Sequence, residues 1–490
     1  MKLKDNRIYR LIIIPICIAL CFFGRFIPGP EGLSSDAMGV ISIFLGSLIL
    51  WLTIGIDWPS LLCIFALAFL ENIGFNSALS KSFGNATFIF LLFTFICTYA
   101  LSKTSLIRRV AIWFISTKLA KKSGNWFITL FLLAVLVLGL FISPSVLFVI
   151  ILPILNEVFA IAGIEKGDKV AKVLMMGLGF TVSISSGMTP IAHVFPVLAM
   201  NAASVNVSPL AYMGMAIPVG LITFVLMLLA FRFIIRPDVS KLSNVDTSTL
   251  SKDSVSVSNE TEQSSKIAKK EIAILSIFAF VILLWIVPSF FKDGAPEFYD
   301  AINKYGTAMP PILGVLLLCI IRFDGKPIIT LDDAFKNGVP WTALMMCAAT
   351  LVLGAALTDN AIGIKAFLQN NLSSSLSSLP AIALLIIFAF WAALQTNLSS
   401  NMVTATLVST VAASILIATS STLSVPAVTS IIGMLASFAF ATPPSMPHIA
   451  IVAGSDYCDT KDVLIYGSLL MVISVVIALV IGYPLGSILM

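Results

Sequence analysis

Two polar, helix-breaking patches stand inside otherwise apolar sequence. The first is Ser143-Pro144-Ser145, followed by an apolar run to Pro153; the second is Ser399-Ser400-Asn401, followed by Met402-Val403-Thr404-Ala405-Thr406. Where a helix restarts, its first N–H groups have no intrahelical partner and direct partial positive charge at one point. Hydroxyls and an amide at such a point suit the capture of an anion. Ser143, Ser145, Ser400, Asn401 and Thr404 are therefore candidate substrate ligands. A second break follows each patch, from Ser183 to Pro190 and from Ala441 to Ser445. Unwound carbonyls there can hold a small cation beside the anion. Ser186, Gly187 and Ala441 are candidate Na+ ligands, and Thr189 and Thr442 join the candidate substrate contacts. Small polar residues also serve simply to pack helices or to bond a kinked backbone. The duplication of the pattern is what favours binding.

The chain has two histidines, and both follow the second breaks: Thr189-Pro190-Ile191-Ala192-His193 and Thr442-Pro443-Pro444-Ser445-Met446-Pro447-His448. Ionisable groups inside spans are expensive and point to function by default. Either could donate to a carboxylate or move a proton, although a histidine near a helix end also serves as a satisfied interfacial residue. His193 is counted with the substrate ligands.

The elements that must position these residues follow from composition. With 59% hydrophobic and 11% charged residues, and a mean hydropathy of +1.05, the chain is excluded from the soluble globular class. The apolar stretches predict an all-α polytopic membrane protein of about 11 transmembrane helices plus two re-entrant hairpins, each stretch near the length that crosses a hydrocarbon core. Residues 1–35 hold a first helix, read as retained rather than cleaved. Residues 36–236 form repeat 1, with scaffold helices, a hairpin at 125–160 and a broken helix at 172–203. Residues 237–268, rich in Ser, Thr, Asp, Asn and Lys, form a mobile cytoplasmic linker. Residues 269–490 form repeat 2, with a hairpin at 379–418 and a broken helix at 426–456. Each unit has an odd number of crossings, so the two copies sit in opposite orientation as an inverted repeat.

Charge supports that topology. With the amino terminus in the cytoplasm and the carboxyl terminus outside, all but Arg25, Lys81, Lys292, Lys304 and Lys365 of the 29 Lys and Arg fall on the cytoplasmic side. The localisation expected is a bacterial-type plasma membrane. The net charge of +5 is modest, and the absence of a basic patch with interleaved aromatics gives no reason to expect nucleic acid. The seven cysteines have no metal-ligand spacing and read as small packing residues.

These residues resemble the divalent anion:sodium symporters that carry dicarboxylates, citrate or sulfate. In that family each hairpin carries a Ser-Asn-Thr tip and each paired broken helix a Thr-Pro signature. Ser400-Asn401-Met402-Val403-Thr404 is similar to the second tip and Ala441-Thr442-Pro443-Pro444 to the second signature. Ser143-Pro144-Ser145 resembles the first tip, and Gly187-Met188-Thr189-Pro190 its broken helix. The sequence departs from the pattern at Pro144, which stands where the family has Asn, at Ser145 and Met402, which stand for Thr, and at His193, which falls where a Thr would follow the first signature. The resemblance implies a homodimer with an elevator mechanism, with Na+ as the coupling ion and no other cofactor. The reading is a secondary transporter of small organic anions, chiefly di- or tricarboxylates, by cation symport, with the lipid bilayer and the anion as its partners. Its rivals are an obligate anion exchanger, a carrier of sulfate or another oxyanion, and an integral-membrane enzyme using Asp456, Asp459 and Asp462.

Overall fold

A computed structural model of the chain describes residues 7–490 except 31, 192, 245–260, 291–296, 298–303, 307, 365–366, 368–378, 399, 420 and 444. Ser399, Pro444 and the middle of the expected linker therefore lie outside the described residues. The fold is all-α apart from a two-stranded antiparallel hairpin, β1 (Arg322–Phe323) and β2 (Lys326–Pro327).

The first half contains α1 (Arg7–Phe23), α2 (Ser35–Thr53), α3 (Trp58–Ala68), α4 (Phe75–Lys81), α5 (Ala86–Ser102) and the amphipathic α6 (Leu106–Ser116). It continues with α7 (Gly124–Gly139), α8 (Pro144–Ala162), α9 (Lys169–Met188), α10 (Phe195–Ala202) and α11 (Pro209–Ala230). The second half has α12 (Thr261–Phe290), α13 (Met309–Ile320), α14 (Leu331–Asn337), α15 (Trp341–Thr358), α16 (Ala381–Leu398) and α17 (Asn401–Ala418). It closes with α18 (Val425–Ser437), α19 (Pro447–Ala453), α20 (Thr460–Ile477) and α21 (Tyr483–Leu489).

Local chemistry explains where helices restart. Proline lacks an N–H and has its φ preset for a first helical turn, and Pro144, Pro196, Pro426 and Pro447 each stand in the first positions of α8, α10, α18 and α19. Ser400 caps α17 by accepting from the Val403 N–H at 3.5 Å. Gly163, in the left-handed conformation at φ 60°, closes α8. Among the described residues six helices are long and apolar enough to cross a membrane, or up to eight if each of two bent pairs counts as one span. These include α8, α16 and α17, the expected hairpin arms, so length alone does not separate an arm from a span. The helix α12 begins at Thr261, inside the stretch expected as linker. Its first residues are polar, and the apolar helix that follows is continuous with them.

The helices fall into two groups by their contacts. In one, α15 packs on α2, α3, α4 and α5, while α12 and α13 pack on α5. In the other, α9 packs on α7, α8, α11, α18 and α19, and α10 on α17 and α18; α6 rides on α7 and α8. The centre of the second group is α9, 94% buried, which is why a helix carrying Thr181, Ser183, Ser185 and Ser186 is stable at that depth: its polar atoms face protein, not lipid. The groups touch chiefly where α15 meets α10 and α17.

Candidate functional site

The helical path is broken at four places, and hydrogen bonds tie the breaks in pairs. Between α7 and α8 the chain turns through Leu140 to Ser143, and the Thr189 hydroxyl, just past α9, donates to the Leu140 carbonyl at 2.7 Å. Past α18, the Thr442 hydroxyl donates to the carbonyl of Asn397 near the end of α16. The same bond thus joins the break before α8 to the end of α9, and the break before α17 to the stretch past α18. A carbonyl left orphan at the end of a helix is satisfied by a threonine from the neighbouring break.

The second half adds an amide that the first lacks. Asn397 is buried; its Oδ1 accepts the Phe440 and Ala441 N–H groups, each at 2.7 Å, and its Nδ2 donates to the Ala393 carbonyl at 2.8 Å. One side chain therefore holds the unwound stretch after α18 in place. Asn401, also buried, donates from Nδ2 to the Ala436 carbonyl at 3.1 Å, which also receives the Thr396 hydroxyl at 2.7 Å. Thr404 donates to the Ser400 carbonyl at 3.0 Å. Asn397, Thr396 and Ser183 were missed as site-builders in the sequence. The available signal for Asn397 is its place just before the Ser399-Ser400-Asn401 break, a buried amide in the last turn of an otherwise apolar helix.

The body of α9 also meets the break past α18 and the helix that follows it. The Ser183 hydroxyl donates to the Ala439 carbonyl at 2.9 Å and lies 2.8 Å from His448 Nε2. A hydroxyl has one proton, so with that proton on Ala439 the bond to His448 requires Nε2–H as donor. His448 is thereby fixed as a donor in the structure, with its ring against Phe148.

A cavity of about 340 Å³ opens between the two helix groups. One wall is formed by Ser143, Pro144, Ser145 and Val146 at the start of α8, with His193 and Met402; the other is formed by Phe95, Thr98, Tyr99 and Ser102 of α5 and by Asn337 to Pro340. The α8 N-terminus has no side-chain cap, so the N–H groups of Ser145 and Val146, which follow Pro144, remain available to an anion. The His193 Nδ1 is buried without a protein hydrogen-bond partner. The candidates thus divide. Ser143, Ser145 and His193 come together in this cavity, whereas Ser400, Asn401, Thr404, Thr189 and Thr442 do not line it and instead bond backbone at the breaks. Of the candidate cation ligands, Ser186 donates to the Ser183 carbonyl at 2.8 Å, and the Gly187 carbonyl accepts the Tyr212 hydroxyl at 2.6 Å. Donors at the breaks are hydroxyl and carbonyl oxygens, a set that fits a hard monovalent cation. No group of three or more His, Cys, Asp or Glu among the described residues is arranged for a transition metal.

The description of the sodium:sulfate symporter transmembrane region matches residues 5–490. The chain belongs to that family. Similar curated proteins are the sodium-dependent dicarboxylate transporter SdcS of Staphylococcus saprophyticus, 23% identical over 98% of this chain and 92% of that one, and SdcS of Staphylococcus aureus, 23% identical over 93% and 87%. The solved structure of Neisseria gonorrhoeae MtrF, from a class of antimetabolite efflux pumps, has a TM-score of 0.50 at 12% identity, covering 96% of this chain and 93% of that chain. At that identity the likeness is one of fold. This symporter-family member is a multi-pass integral membrane transporter, and the enzyme reading is overturned. The acidic trio behaves accordingly: Asp456 pairs with Lys166, Asp462 pairs with Lys172 at 2.7 Å, and Asp459 caps α20.

Proposed function

We propose that the protein is a secondary active transporter that carries a small di- or tricarboxylate by symport with Na+, the anion seated in the cavity between the helix groups. The observation that carries this reading is the meeting of Ser143, Ser145 and His193 at an uncapped helix N-terminus, in a cavity of the size that small ligands use. The hydroxyls and helix N–H groups take one carboxylate. His193, in the tautomer with its proton on Nδ1, donates to it and gains the partner that its buried nitrogen lacks. Ser400, Asn401, Thr404, Thr189 and Thr442 keep the tips open and aimed, and the tip around Met402 closes the site from the second half. Sodium, when bound, supplies positive charge that the cavity walls do not carry. Ser186, Gly187 and Ala441, at the breaks, are the residues proposed to hold it.

The paired threonine bonds support reading the chain as two inverted repeats, 36–236 and 269–490, with 1–35 as an extra first helix and about 11 spans. The two helix groups support an elevator in a homodimer, the first serving as the static scaffold and the second as the moving transport body. The charge distribution supports an amino terminus in the cytoplasm and a carboxyl terminus outside. Obligate exchange is the second reading, favoured by Pro144, which removes an amide from the first tip.

Reconstituted vesicles separate these. Symport requires net uptake of a labelled dicarboxylate that collapses when sodium is replaced by choline, whereas an exchanger keeps full counterflow without sodium. Uptake undiminished in a Ser145→Ala, Asn401→Ala double variant removes the proposed site.

A further inference from the structure

Three side chains meet at one carboxylate beside the cavity. Asp333, in the first turn of α14, accepts the Tyr99 hydroxyl at 3.1 Å and the Asn337 amide at 2.9 Å on Oδ1, while Oδ2 takes the Lys103 ammonium. Lys103 also lies 4.6 Å from the centre of the Tyr99 ring. Tyr99 and Asn337 line the cavity, and Asn337 and Pro340 are exposed, so the array stands at the mouth. The backbone is shaped around it. A Cβ on Gly338 would lie 2.5 Å from Tyr99 Cγ, so only glycine lets α14 close under the ring.

The cavity walls contain no Lys, Arg, Asp or Glu. An anion leaving water needs a counter-charge at the entrance, before hydroxyls and helix N–H groups are in reach, and a cation at the rim raises its local concentration. Lys103 is placed to act so, and its present partner is the same chemical group that a substrate would bring. The side chains of Lys103 and Asp333 are 44% and 34% exposed, so exchanging one carboxylate for another is nearly balanced there.

We infer that Lys103 is an anion-recruiting residue at the cavity mouth, held by Asp333 until a substrate carboxylate takes that place, and that Asp333 is a positioning residue for the Tyr99 and Asn337 wall. The inference rests on the reading of the cavity as a carboxylate site. A purely structural bolt between α5 and α14 would behave differently: its loss would lower the amount or the turnover of protein without a selective change in KM.

The test is initial-rate uptake of succinate by full-length protein in inside-out vesicles, which present the Lys103 face to the substrate, normalised to folded protein. Lys103→Gln is expected to raise KM about three- to five-fold with the maximal rate retained, an effect that shrinks as salt screens the mouth. Lys103→Arg is expected to restore KM, and Asp333→Asn, which keeps an acceptor for Tyr99 and Asn337 but frees the ammonium, to lower it. Wild-type transport with an unshifted KM in Lys103→Gln overturns this inference alone, as does a fall in maximal rate shared by Lys103→Gln, Lys103→Arg and Asp333→Asn. Wild-type protein that moves no carboxylate, in symport or counterflow, overturns the reading of the cavity and this inference with it.

Discussion

Asn397 shows how much one buried amide can hold. Replacing it with alanine leaves the Phe440 and Ala441 N–H groups buried without an acceptor, at a cost of about 2–4 kcal/mol for the pair. Thermal unfolding in detergent is expected to show that loss, with Thr442→Val losing about 1 kcal/mol because it gives up a single bond. Ser183→Ala should fall between them, since it strands the His448 Nε2–H and the Ala439 carbonyl together. The sequence displays the hydroxyls and amides at the tips, and it correctly marks them as unusual in apolar surroundings. It does not display their partners. Ser143 and Ser145 face a cavity while Asn401 and Thr404 bond backbone, and that division depends on which helix lies opposite, which no spacing rule contains.

At the scale of elements the breaks were legible at Pro144, Pro190 and Pro443, because proline cannot continue a helix; the break expected from Ser183 onward begins only at Thr189, since α9 runs on through Ser183, Ser185 and Ser186 to Met188. Two features escaped. A π-helical turn, Phe231–Ile235 after α11 and Ala478–Gly482 after α20, precedes Pro237 in one half and Pro484 in the other. At Pro484 the helix continues, and the wider turn before it accommodates the proline, whereas at Arg236 the chain leaves the helix in the left-handed conformation before Pro237. The other is the tethering of the linker's first residues. The 3-10 turn Ser240–Asn244 is fixed by Lys241, which donates to Asp168 at 2.8 Å and to the Gly163 carbonyl at 3.1 Å. Lys241, and then the Glu165 N–H, hold the Asp168 carboxyl below its usual range, and Asp168 raises the Lys241 ammonium in turn. A depressed carboxyl contributes above its unfolded pKa and loses that contribution as pH falls through its folded one; a raised ammonium contributes until pH climbs past its folded value. The tether is therefore expected to hold from about pH 4 to about pH 10. Proteolysis within 237–244 should be flat across pH 6–9 and should speed up in acid, with Lys241→Gln, cut quickly throughout, as the reference.

For the whole molecule, composition was enough to read a polytopic membrane protein, the paired breaks to read a transporter, and the short tip motifs to suggest its family. The division into two helix groups was not readable, because it depends on contacts between segments far apart in the chain. The seam between the groups is narrow where a Cβ on Gly354 of α15 would come within 2.8 Å of the Asn201 carbonyl and 2.9 Å of the Ala202 carbonyl. A bulky residue there wedges the groups apart. Gly354→Leu is expected to abolish uptake while leaving ligand-induced thermal stabilisation in place, as measured by a shift in unfolding temperature on adding succinate. Orientation is open to a direct check: a reporter active only in the cytoplasm should work at the amino terminus and stay silent at the carboxyl terminus.

The threonine ties also bear on how the protein is made. Thr189 reaches back 49 residues to Leu140, and Thr442 reaches back 45 to Asn397, so each can form while the ribosome is still extending that half. The bond between Ser183 and His448 spans 265 residues and must wait until nearly all of the chain has been synthesised. The expectation is that each half closes its own break and the halves dock late, so fragments 1–250 and 251–490 produced together from separate transcripts should assemble into a working carrier.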